Sequence, residues 1–140
     1  MSEVFTPHGQ FRLHAEGRIV VSEVTGPWNV ELVQNWATEV RPYSLQMQPG
    51  GPWGGIAIIR ESMLCTPDAM DALGKIVAYG VENFGCIAQV VVASPDVAGR
   101  GVVEPAFQRI YEGVCAYNFF YEYEEARDWL NRLILERSSA

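Results

Sequence analysis

Two short apolar runs flank a helical pattern in the middle of the chain. Ile56-Ala57-Ile58-Ile59 follows a Gly54-Gly55 pair, and residues 86–93 follow a stretch in which Met70, Leu73, Val77 and Val81 recur at helical spacing. Strands that read as near-continuous apolar runs belong to parallel sheets buried on both faces, so the segment reads as a β-α-β unit. Its helix has a marked start. Thr66 is placed to give a hydroxyl cap, Pro67 takes the first helical position and Asp68 brings a carboxylate to the first turn. Gly85 suits a left-handed cap at the other end, near Phe84.

The rest of the chain can be laid around this unit. Residues 1–9 show little periodicity and read as a loose arm. Residues 11–15 alternate apolar and polar, the period of a half-buried strand. Glu16-Gly17-Arg18 then turns into a second strand over 19–24, giving an antiparallel hairpin at one sheet edge. Asn29 can cap a helix with Glu31 in its first turn and Val33, Trp36, Ala37 and Val40 on one face, and Pro42 is expected to end it. Residues 46–52 read as a loop, 53–59 as the third strand, 60–65 as an irregular link and 87–93 as the fourth strand. Residues 97–102, with Gly99 and Gly101, read as another loop. A third helix then presents Val103, Phe107, Ile110 and Tyr111 and stops at Gly113. A fifth strand, rich in aromatics, covers about 114–121. A last helix over 124–136 buries Ala126, Trp129, Leu130, Leu133 and Ile134. The order β-β-α-β-α-β-α-β-α predicts one α/β domain over residues 1–140, with a mixed sheet of about five strands and about four helices.

Composition narrows the function classes. With 49% hydrophobic and 19% charged residues, the chain can bury a core and is not of disordered type. The net charge of -7, with Lys75 the sole lysine against nine arginines, argues against nucleic acid and against an anionic membrane surface. Cys65, Cys86 and Cys115 are dispersed and odd in number, so neither a zinc site nor a disulfide framework is signalled, and no cofactor is expected. No basic-then-apolar leader opens the chain and no apolar run approaches the roughly 18 residues of a spanning helix. The expectation is a cytoplasmic protein without membrane insertion.

The element order resembles the STAS or SpoIIAA-like fold of the anti-sigma factor antagonists, over roughly residues 11–135. A local match adds to it: strand 3, a short irregular link, then a helix reading Met70-Asp71-Ala72-Leu73. In those antagonists the helix begins with an Asp-Ser-Ser-Gly-like string whose serine is phosphorylated by a partner kinase. This chain has Cys65-Thr66-Pro67-Asp68-Ala69 there, with Asp68, or Pro67 if shifted by one, at the serine position. The resemblance implies the broader SpoIIAA-like group, soluble single domains of unassigned role, more than a sigma-factor regulator. With the acidic charge and the lack of catalytic groupings, the expectation is a non-enzymatic interaction or regulatory domain that engages another protein or a second copy of itself.

Candidate sites follow from the residues themselves. Ser62, Thr66 and the free amides of the second helix could hold an anion, although Thr66 as a cap needs no further role and Asp68 disfavours one. Gly99-Arg100-Gly101 could let a backbone approach a ligand while Arg100 pairs with it, or could be a plain flexible loop. Acid–base chemistry has little to build on. His8 lies in the arm and His14 on an edge strand, and Glu122, Glu124 and Glu125 read as a solvated helix start. No catalytic residue is assigned. Trp28 and Trp53 each follow a proline beside a glycine turn, where a tryptophan is expected to stay partly exposed and to mark a partner surface or an apolar, lipid-like ligand cleft. A small hydrolase or isomerase using carboxylates with Arg60 or Arg100 is the remaining alternative.

Overall fold

A computed structural model describes residues 9–138. The strands are β1 (Gln10–Glu16), β2 (Ile19–Thr25), β3 (Trp53–Arg60), β4 (Cys86–Val92) and β5 (Ala116–Phe120), and the helices are α1 (Val30–Met47), α2 (Pro67–Phe84), α3 (Arg100–Tyr111) and α4 (Tyr123–Ser138). All five strands join in one sheet whose spatial order is the sequence order. β1 pairs antiparallel with β2, and β2 through β5 run parallel. The architecture is therefore α/β with a five-stranded mixed sheet and four helices, as the hydrophobic pattern predicts.

Topology decides where the helices go. Each parallel step moves one strand along in the same direction, and right-handed crossovers then place α1, α2 and α3 on one face of the sheet. α4 folds back onto β3, β4 and β5 from the other side. Strand alternation divides the core accordingly. Ile19, Val21, Ile56, Ala88, Val90 and Val92 pack with Ala126, Leu130 and Ile134 of α4. Ile59, Val91 and Ala93 pack with α1, α2 and α3 through Leu32, Val33, Val77 and Phe107.

The glycine pair at the start of β3 serves both faces. A Cβ on Gly54 would stand 2.9 Å from Leu130 Cδ1, so α4 can approach only because none is there. A Cβ on Gly55 would stand 2.9 Å from Gln89 Oε1 on the opposite face. Glycine inside a strand marks such close approaches.

Several expectations need correction. Pro42 does not end the first helix, which runs on to Met47 with the proline inside it. The local cost is offset by what lies beyond. Met47 is buried with Val20, Trp53 and Cys86, Val40 and Tyr43 pack against that cluster, and the Tyr43 hydroxyl donates to Leu13 O at 3.2 Å. The carbonyls left open where α1 ends are collected by Arg18 in the β1–β2 turn, which donates to Met47 O, Gly51 O at 2.7 Å and Pro52 O at 3.2 Å. Most of the expected 46–52 loop is thus the last turn of α1 and a 3-10 turn, Gln48–Gly50. The expected loop over 97–102 is shortened as well, because α3 starts at Arg100 behind Gly99, whose φ of 77° no branched residue takes easily. In α2, Thr66 holds the cap position and Gly85 the left-handed C-cap, but the Thr66 hydroxyl makes no capping bond; its carbonyl instead receives Ala69 N and Met70 N at 3.1 and 3.2 Å. Residues 1–8 of the expected arm, His8 among them, lie outside the described residues. Gly9 does not fit a loose arm, since a Cβ there would meet Thr25 O at 2.5 Å.

At the carboxyl ends of the strands, the turn before α1 and the link after β3 are laid against each other. Gly26 N donates to Arg60 O at 3.1 Å, Trp28 N to Leu64 O at 3.0 Å and Met63 N to Ala98 O at 2.8 Å. A Cβ at Gly26 would lie 2.0 Å from the Ser62 carbonyl oxygen. Gly26→Ala must therefore push two backbones apart and is expected to cost about 3 kcal/mol. Urea unfolding checks this; a loss below about 1 kcal/mol would show that the two segments are not held together.

Candidate functional site

The helix-bearing face is not packed solid. Between the sheet and helices α1 and α2 lies a cavity of about 420 Å³, closed at one end by Phe107 and Tyr111 of α3. Its size falls within the roughly 300–1,000 Å³ of ligand pockets. The floor explains why it exists. Ser22 on β2 stands beside Ala57 on β3, and Gly55 lies on the same face two residues before Ala57, so the centre of the floor is built from small side chains. Helices held apart by Trp28, Leu32, Trp36 and Trp53 at the margins cannot sink onto it. The apolar stripe of α2 consequently ends half-covered: of its residues only Ala69 and Val77 are buried, while Leu73 and Ile76 line the open space.

The lining is mostly aliphatic and aromatic, with a few polar groups at defined places. Ser22, itself buried, accepts a hydrogen bond from Trp36 Nε1 at 2.9 Å. Gln89 interrupts the apolar run of β4. Its carboxamide lies over Gly55 and donates through Nε2 to Cys86 Sγ at 3.3 Å. Tyr111 is 3% exposed, and its hydroxyl has no hydrogen-bond partner among the described residues. Burial, first of all, and then the neighbouring Cys115, Tyr117 and Cys86 push that hydroxyl well above the ordinary tyrosine range, so it is a neutral donor at any physiological pH. The two cations of the lining, Arg41 and Lys75, are exposed at the rim, Arg41 lying 5.5 Å from the Phe84 ring centroid and Lys75 3.8 Å from Asp71. Among the described residues, no carboxylate and no histidine lines the cavity.

Both expected aromatic markers border this space, but neither is exposed. Trp28 is 5% and Trp53 4% exposed, which corrects the reading of partly exposed rings beside Gly-Pro turns. Trp53 Nε1 donates to Phe84 O at 2.7 Å at the lower end, and Trp28 stacks on Phe107 with centroids 6.2 Å apart at the upper end. The Trp28 Nε1 hydrogen has no acceptor among the described residues. The remaining candidates lie elsewhere, at the carboxyl ends of the parallel strands. Ser62 is buried at 6% exposure, bridges to Ala98 and accepts from Leu64 N at 3.0 Å, while Thr66 and Asp68 are exposed. Arg100 lies over the Tyr121 ring at 5.0 Å and donates to its hydroxyl at 3.3 Å.

Of the residues named for a hydrolase or isomerase, Arg60 does meet a carboxylate, but neither it nor Arg100 lines the cavity. Arg60 ion-pairs with Glu23 at 2.9 Å, on the side of β2 opposite to Ser22. The hydrogen bond from Arg60, followed by the charges of Arg60, Arg12 and His14, holds the Glu23 carboxyl below its usual range. Among the described residues no group of three or more His, Cys, Asp or Glu side chains could hold a metal ion, and no helix is long and apolar enough to cross a membrane. Gln89, Gly55 and Tyr111 were missed by the reading of the sequence. The first two had a signal: a glutamine inside an apolar strand and a glycine inside another.

No protein-family model, no curated protein and no solved structure matches this chain.

The three thiols are inert by environment. Burial pushes Cys65 and Cys115 up to about 11, with Asp68 adding to the effect at Cys65, and pushes Cys86 up to about 12. Because the thiolate is the reactive form, alkylation by iodoacetamide at pH 8 should run about 100-fold slower at Cys65 and Cys115 than at a free cysteine. Mass spectrometry of a timed reaction measures this, and rates matching a free thiol would show these sites to be open to water.

Proposed function

We propose that this protein binds a small, largely apolar ligand in the cavity between the sheet and helices α1 and α2. The observation that carries the reading is the small-residue floor of Ser22, Gly55 and Ala57 beneath a ring of Trp28, Trp36, Trp53, Leu73 and Phe107. Large side chains at the margin and small ones at the centre leave a space that α1 and α2 do not fill. The mostly aliphatic and aromatic lining given by the described residues favours binding or carriage over hydrolysis. A neutral dye that brightens in apolar surroundings, N-phenyl-1-naphthylamine, should bind and alter the emission of the tryptophans around the cavity. Ala57→Leu puts a larger side chain into the free space, so it should weaken the dye about tenfold or more while thermal stability holds or rises. No dye binding by the unaltered protein, or equal binding by the variant, would count against the cavity as the site.

A second reading concerns protein contacts and keeps to the SpoIIAA-like organisation that the element order resembles. Leu64, Val102 and Tyr121 are exposed large apolar side chains at the carboxyl end of the sheet, where Leu64 crowds Gly99 and Arg100 stacks on Tyr121. With Thr66 and Asp68 nearby in sequence, they form the surface on which a protein partner or a second copy would act in a regulatory module. Changing Leu64, Val102 and Tyr121 to serine, which touches no cavity residue, should abolish any self-association seen by sedimentation. An oligomer that persists unchanged would place its interface elsewhere.

A further inference from the structure

Deepening the cavity reading, and resting on it, we infer that the end of the cavity between β4 and α3 recognises a neutral hydroxyl group on the ligand, through Gln89 and Tyr111. Three observations converge on this. First, Gln89 stands in a strand whose other cavity-side residues are apolar, and its carboxamide lies where a Cβ on Gly55 would crowd it, at 2.9 Å from Oε1. Among the described residues, that carboxamide bonds only to Cys86 Sγ, a weak acceptor, which leaves Oε1 and the second amide hydrogen unspent. Second, the Tyr111 hydroxyl has no partner among the described residues, though its residue is 3% exposed. Third, the two belong to one neighbourhood. Gln89 bonds to Cys86, Cys86 lies among the groups acting on the Tyr111 hydroxyl, and the Tyr111 ring centroid is 5.6 Å from that of Tyr117, the cross-strand partner of Gln89.

Tyr111 is buried and Gln89 half-buried. Polar groups largely withdrawn from water are nearly always hydrogen-bonded in native proteins, so these two open groups call for a partner that brings its own donor and acceptor. A hydroxyl does both: it gives its hydrogen to Gln89 Oε1 and takes the one from Tyr111. An anion is disfavoured there, because the lining cations Arg41 and Lys75 are exposed at the rim and a buried carboxylate without a counter-charge is costly. The occupant is therefore a neutral molecule with an apolar body and one hydroxyl on its buried end, of the alcohol or phenol class.

The test compares two ligands of the same shape, 1-naphthol and 1-methylnaphthalene, by isothermal titration calorimetry. The unaltered protein should bind the naphthol about tenfold more tightly, the effect of satisfying buried polar groups. Tyr111→Phe and Gln89→Leu, each removing hydrogen-bonding groups at modest change of volume, should erase that preference while affinity for 1-methylnaphthalene stays level or improves. Equal affinity of the two ligands for the unaltered protein overturns the inference and leaves the cavity reading standing. So does a preference that survives Tyr111→Phe, which deletes only an oxygen and is the variant safest for folding. If neither ligand binds, the cavity reading falls and this inference with it.

Discussion

Two adjacent residues without side chains set the close approaches to β3 on both faces of the sheet. Gly54 lets Leu130 bring α4 down onto β3, and Gly55 lets the Gln89 carboxamide lie across the strand on the other side. Without the first, the α4 layer of the core would be held away from Ile56 and Val90. Without the second, Gln89 would be driven up into the space under α2. One dipeptide thus sets a tight packing distance on one face and an open, polar-tipped floor on the other. That asymmetry follows the topology, since three helices share one face while α4 alone must seal the second.

The loose face is stable because its margins are tight. Trp53 is tied to the end of α2 through Phe84 O, Trp36 to the sheet through Ser22, and Trp28 is held where the Gly26 turn and the 61–65 link meet. Arg18 fixes the far end of α1 by taking several of its open carbonyls at once. The helices are therefore positioned at their ends and edges, and the middle of the layer between them does not need to be filled to keep them in place.

Period and punctuation in the sequence carry the elements of this fold well. The apolar runs of β3 and β4, the Thr66-Pro67 start and the Gly85 stop of α2 are all decided locally, by backbone preference and strand or helix spacing. Pro42 is different. Its local tendency to end a helix is outweighed by Tyr43 and Met47, whose partners Leu13, Val20 and Trp53 are distant in sequence. Trp28 and Trp53 differ from expectation for the same reason: they meet Phe107 and Phe84, which no window around either tryptophan contains. Periodicity also assigns a face to each residue but not the gap between two faces. Met70, Leu73, Val77 and Val81 read as a packed stripe, yet the cavity under them was invisible until the small residues opposite could be seen as their neighbours. Gln89 and Gly55 were legible as oddities in their strands, and only pairing in register shows that each explains the other.

An apolar void of this size has an energetic consequence. Filling defects in protein cores cost about 24 cal/mol per Å³, so a sealed and dry cavity of 420 Å³ would cost on the order of 10 kcal/mol, comparable with the whole stability of a typical domain. The exposed rim at Arg41, Lys75 and Tyr79 relieves part of that by admitting water, but water inside finds few partners beyond Ser22, Ser44, Gln89, Tyr111 and the Trp28 Nε1 hydrogen. An apolar occupant removes both penalties at once, by restoring contacts to the aliphatic lining and by releasing poorly bonded water. Such a ligand stabilises the folded chain by mass action, since the unfolded chain has no cavity to offer. The same small residues that leave the layer underfilled thus make the fold's stability responsive to whatever occupies it.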